Sequence, residues 1–136
     1  MLPLLSTLEI KSGKRVQMID ITSKINELLE GAEIKEGTAF IFIPHTTAGV
    51  TINENADPTV PRDILKGLER LVPEKGDYLH SEGNSDAHIK ASLMGSSVMV
   101  IINEGRLMLG TWQGIFFCEF DGPRRRKVLI KIEGQP

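Results

Sequence analysis

His45, His80 and His88 are the only histidines in a chain of 136 residues, and each falls in a polar segment. His45 sits in Pro44-His45-Thr46-Thr47-Ala48-Gly49, while His80 and His88 flank Ser81-Glu82-Gly83-Asn84-Ser85-Asp86-Ala87. The ordinary pKa of imidazole lies near neutrality, so these rings are the first candidates for acid–base work or, when neutral, for holding a metal. A turn through Gly83 would fold His80 back beside His88. With His45 delivered from a neighbouring strand end, the three would make a metal site with one open coordination position, of the kind zinc occupies.

Other side chains in the same segments extend this chemistry. A helix starting at Asn84-Ser85-Asp86 would offer free backbone N–H groups to a phosphate or other anion, with Asn84 and Ser85 beside it. Glu54, Asp57, Glu82 and Asp86 could hold a hard cation such as magnesium or act as bases, although Asp57 reads first as a helix cap. Arg124 follows Gly122-Pro123 and heads the only basic run, Arg124-Arg125-Arg126-Lys127; its planar fork suits bidentate contact with phosphate. Trp112-Gln113, between Gly110 and Gly114, reads equally as a substrate wall, an interface plug or core packing. Cys118 shares a strand face with Phe116 and Phe120, where burial disfavours the thiolate.

These groups need elements to position them. Leu4 to Lys11 and Arg15 to Ile21 are extended segments, and Ser12-Gly13-Lys14 between them predicts a hairpin. A short helix capped by Thr22 or Ser23 carries Ile25, Leu28 and Leu29 and ends at Gly31. Thr38 to Ile43 is a continuous apolar run, as in a strand covered on both faces, and Val50 to Glu54 is a strand with one polar face. Asp57-Pro58 opens a helix striped by Val60, Ile64, Leu68 and Leu71 and stopped by Pro73. A third helix, Asp86 to Met94, closes at Gly95; its apolar centre lies between Ile89 and Leu93, leaving His88 to one side. Ser97 to Ile102, Arg106 to Gly110, Ile115 to Phe120 and Lys127 to Ile132 are strands, with turns at Asn103-Glu104-Gly105 and Asp121-Gly122-Pro123. Segregated strands and about three helices predict an α+β fold with a mainly antiparallel sheet, in a single domain over 1–136.

Composition bounds the rest. Sixteen basic against eighteen acidic side chains give a net charge of −2, so no general field draws the chain to nucleic acid or to an anionic membrane. One cysteine excludes an internal disulfide and fits a reducing compartment, and no apolar stretch has the length of a membrane span. The expectation is a cytoplasmic protein with a phosphorylated small molecule as its partner.

Three segments carry a further signal: His45-Thr46-Thr47-Ala48-Gly49-Val50-Thr51-Ile52-Asn53-Glu54-Asn55-Ala56-Asp57-Pro58, His80 to Gly95, and Gly110-Thr111-Trp112-Gln113-Gly114-Ile115-Phe116 running on to Asp121-Gly122-Pro123-Arg124. In this order, over nearly the whole chain, they resemble the YjbQ-like family. The resemblance implies a compact α+β subunit in a homotrimer. It also implies a weak, secondary thiamine-phosphate synthase activity, in which a pyrimidine pyrophosphate joins a thiazole phosphate and pyrophosphate leaves. Its histidines fall on His45, His80 and His88, and its other site positions on Glu54, Asn84, Asp86, Trp112 and Gln113. Magnesium would suit the departing pyrophosphate and zinc the histidines. A metal-dependent hydrolase and a trimeric ligand-binding module without chemistry are the alternatives.

Overall fold

The computed structural model describes residues 4–136. Eight strands and three helices follow in the order β1 (Leu4–Lys11), β2 (Gln17–Asp20), α1 (Thr22–Ala32), β3 (Glu36–Phe42), β4 (Ala48–Glu54), α2 (Thr59–Leu71), α3 (Ser85–Met94), β5 (Ser97–Asn103), β6 (Arg106–Leu107), β7 (Gln113–Glu119) and β8 (Arg125–Gln135). The strands form two antiparallel sheets, β1-β8-β3-β5-β6 and β2-β7-β4. The fold is α+β, as the sequence predicts.

Alternation along the strands builds the layers. Ala39 and Ile41 of β3, Val100 and Ile102 of β5, and Val128, Ile130 and Ile132 of β8 turn inward to meet Val50, Ile115 and Phe117 of the smaller sheet. Ile21, Ile25 and Leu29 join the same core, so α1 plugs one end of the sandwich. The far side of the smaller sheet carries Phe116, Cys118 and Phe120, which pack on Ala87 and Ala91 of α3 and on Leu65 and Leu68 of α2. Cys118 is buried as expected, and burial pushes its thiol up to about 12.

Five sequence expectations are corrected. The segments around Ser12 do not form a hairpin: β1 pairs with β8 and β2 with β7, in different sheets. Ser12 makes the crossing, its N–H donating to Arg124 O and its hydroxyl to Glu119. The Thr38–Ile43 run is covered on one face only, because Phe40 and Phe42 emerge on an uncovered outer face with Leu5, Met99 and Ile101. The first helix runs past Gly31 to a left-handed Glu33, and it starts without a side-chain N-cap bond, since Asp20 Oδ1 accepts both Thr22 N–H and its hydroxyl. Leu71 does not join the α2 stripe and is exposed. In α3 the buried face is Asp86, Ala87, Lys90 and Ala91, while Ile89 and Leu93 face outward.

Candidate functional site

The reversal in α3 has an electrostatic cause. Asp86, fully buried, accepts a two-point contact from Arg15 (3.0 and 3.1 Å) and a bond from Lys90 Nζ at 2.8 Å; Lys90 also reaches Glu69 at 3.0 Å. Burial acts to raise the Asp86 carboxyl, but the bonds from Arg15 and Lys90 outweigh it and hold the group below its ordinary range. Charge thus docks the helix and leaves His88 on its rim. At the other end of α3, Gly49 lies so close to Gly95 that a Cβ on it would stand 2.7 Å from the Gly95 carbonyl oxygen. The absence of a side chain there brings α3 against β4, just beyond His45.

The three histidines consequently line one open cavity of about 680 Å³, together with Phe42, Glu82, Asn84, Asp121, Arg124 and Arg126. His80 and His88 meet edge to face with ring centroids 5.4 Å apart, as the proposed turn through Gly83 requires, and Gly83 has a φ of 79°. His45 is held differently: the Lys127 backbone N–H donates to its Nε2 at 2.9 Å. Nε2 is therefore an acceptor, which places the proton of the neutral ring on Nδ1. Burial, and after it the Arg126 charge, lower the pKa of His45 and favour that neutral form.

Behind His45 lies a polar cluster that joins the two sheets. Glu119 of β7 and Arg126 of β8 are on inward positions, where alternation would otherwise place apolar residues. Arg126 Nε donates to Glu119 Oε1 at 2.9 Å, and Nη2 donates to Glu119 Oε2 and to Thr47 Oγ1. Glu119 also accepts from Ser12 Oγ at 2.6 Å and from the Asp121 N–H at 3.1 Å. Burial would raise the Glu119 carboxyl; the hydrogen bonds from Arg126 and Ser12 more than offset it and keep the group ionised below its usual range. Sequence inspection reads Arg126 as one cation of a surface run. The signal that singles it out is its alternation with Val128, Ile130 and Ile132.

Of the residues singled out in the sequence, the fold brings His45, His80, His88, Glu82, Asn84 and Arg124 to the cavity. Asn84 donates from Nδ2 to Asp121 at 2.9 Å, and its Oδ1 is the one buried side-chain polar atom without a partner among the described residues. Arg124 is bound to Asp121 through Nε and Nη2. Ser85 borders an adjoining groove with Leu79, His80 and His88. Asp86 is not at the cavity but on the buried face of α3. Glu54, Trp112 and Gln113 are at the opposite end of the β4–β7 pair, where Glu54 faces Gln113, about 20 Å along the strands from Ala48 and Glu119. Among the described residues no three His, Cys, Asp or Glu side chains converge as metal ligands would.

The match to known proteins covers both ends. The family model described as UPF0047 protein YjbQ-like matches residues 6–135. A UPF0047 protein of Methanocaldococcus jannaschii is 55% identical over 126 residues, 93% of this chain and 91% of that one. UPF0047 protein YugU of Bacillus subtilis is 52% identical over 132 residues, 96% of this chain and 100% of its own. Among solved structures, an uncharacterised YjbQ/UPF0047 protein of Clostridium acetobutylicum superposes with a TM-score of 0.93 at 56% identity, covering 94% of this chain and 99% of that one. A YbjQ-like protein of unknown function from Sulfolobus solfataricus gives 0.95 at 29% identity, covering 98% and 99%. The chain belongs to the YjbQ-like UPF0047 family.

Proposed function

We propose that this protein is an enzyme of small phosphorylated metabolites, with its chemistry at the cavity of His45, His80 and His88. The observation that carries this reading is the convergence of all three histidines, from separate segments, on one open cavity that also holds two arginines. Such a set combines oxyanion donors with imidazoles able to give or take a proton. His45, neutral with its proton on Nδ1, is suited to donate; His80 and His88, in mutual contact and open to the cavity, are suited to exchange a proton with a bound substrate. A metal held by all three histidines does not fit this arrangement, since the Nε2 lone pair of His45 is engaged by Lys127.

Thiamine-phosphate synthesis, implied by the family resemblance, is the first reaction to assay. Purified protein is given a pyrimidine pyrophosphate and a thiazole phosphate with magnesium, followed by a panel of phosphate esters. We expect product that disappears in His88→Ala and His45→Ala without loss of fold. No histidine-dependent product from either set would overturn the reading.

Self-association is part of the same proposal. Phe40, Phe42, Met99, Ile101 and Leu5 leave an apolar outer face on the larger sheet, and such faces mark contact sites. Phe42 also lines the cavity, so a neighbouring copy on this face would reach the rim of the site. Light scattering should give a trimer mass, and Phe40→Lys with Ile101→Lys should reduce it to one chain.

A further inference from the structure

We propose that Arg126, not the more exposed Arg124, seats the oxyanion of the ligand, and that the anionic head it accepts is a single phosphate rather than a diphosphate. This inference rests on the reading above that the cavity takes phosphorylated compounds, and it concerns which donor holds the head and how much charge the site accepts.

The two guanidinium groups differ in which N–H donors the fold leaves free. Arg126 spends Nε and both hydrogens of Nη2 on Glu119 and Thr47. Its Nη1 donates to nothing among the described residues, yet it is not among the atoms sealed from solvent without a partner. Arg126 is only 5% exposed and lines the histidine cavity, so the edge left accessible is the one presented there. Two N–H donors thus face the cavity from a fork whose other edge is clamped by a carboxylate and a threonine. A donor fixed in this way loses no side-chain freedom when a ligand arrives, and burial strengthens its hydrogen bonds. Arg124 differs in just these respects: its side chain is 53% exposed and its bonds run to Asp121, three residues away on the same turn.

The charge limit follows from pairing. Arg126 is matched by Glu119, Arg124 by Asp121, and Glu82 stands 3.7 Å from His80. Among the described residues lining the cavity, no arginine lacks a carboxylate partner. One phosphate can be held by the free guanidinium edge and the His45 Nδ1–H, whereas the additional charge of a diphosphate meets no uncompensated cation unless it brings its own.

The test titrates inorganic phosphate and pyrophosphate, without divalent ions, into the wild type, Arg126→Lys and Arg124→Lys, with calorimetry for affinity and circular dichroism for folding. Phosphate should bind the wild type, weaken by at least about tenfold in Arg126→Lys, which removes the fork, and by less than about threefold in Arg124→Lys. Pyrophosphate should bind no more tightly than phosphate. If Arg126→Lys fails to fold, the arginine side-chain 15N resonances of the wild type decide: phosphate should shift Arg126 and spare Arg124. The inference is overturned if Arg124 carries the loss or the shift, if pyrophosphate binds about tenfold tighter without metal, or if no phosphate binds. Turnover that depends on His88 but is indifferent to Arg126→Lys would overturn this inference and leave the enzymatic reading standing.

Discussion

The two ends of the β4–β7 pair carry equally strong family wording and opposite physical character. At the end near Ala48 and Glu119, side chains from both sheets bury a ring of charges under a cavity; at the end near Glu54 and Gln113, polar side chains stand at the surface and Trp112 is 62% exposed. The first end is organised by what its residues do for one another. The second is held mainly through backbone and turn contacts: Asn55 N–H donates to Trp112 O, and Gln113 Oε1 accepts from Gly110 N–H at 2.8 Å. The difference teaches that a recognisable motif does not by itself mark a site within one subunit.

Substitutions can break this contrast. The largest effect belongs to Glu119→Ala, which strands Arg126 as a buried cation and should cost about 3–5 kcal/mol in urea unfolding. Asp86→Asn should cost less, about 2 kcal/mol, because Arg15 retains partial access to water. Both carboxylates titrate below their ordinary range in the folded chain. Their stabilisation is therefore complete above the unfolded values near about 4 and is lost as pH falls through the lower folded values. Unfolding measured from neutral pH downward should show that acid loss, and Glu119→Gln or Asp86→Asn should flatten it. His88→Ala should change stability by less than about 1 kcal/mol while removing turnover, a separation that melting curves and assays read together. The smallest effect is Trp112→Ala, within about 0.5 kcal/mol for the isolated subunit. A Trp112 effect as large as that of Glu119 would erase the comparison.

Much of the fold was legible, for reasons that particular residues make clear. The Asn103-Glu104-Gly105 turn was readable because two consecutive positive φ values, 52° and 75°, need such residues. Cys118 was readable from simple alternation. The β1–β2 hairpin that the sequence suggests does not form because turn chemistry at Ser12-Gly13-Lys14 is local, whereas its outcome depends on Glu119 and Arg124, more than 100 residues away. The face of α3 is not legible because a hydrophobic count cannot foresee that Asp86 and Lys90 are buried against the partly exposed partners Arg15 and Glu69. In the site, the histidines stood out by type and setting; Arg126 did not, because its basic neighbours disguised an inward position on β8.

The sandwich is sealed at its two ends by different substances. α1 and the residue before it close one end with Ile21, Ile25 and Leu29, a seal indifferent to protons. Glu119, Arg126, Ser12 and Thr47 close the other, and that seal has a proton as its key. Acid strong enough to protonate Glu119, below its ordinary carboxylate range, should therefore loosen the molecule from one end only, dissolving the floor of the histidine cavity while the oily end still holds the sheets together. Amide exchange followed down the pH scale would show Thr47 and the Lys127 amide opening before Ile25 and Leu29.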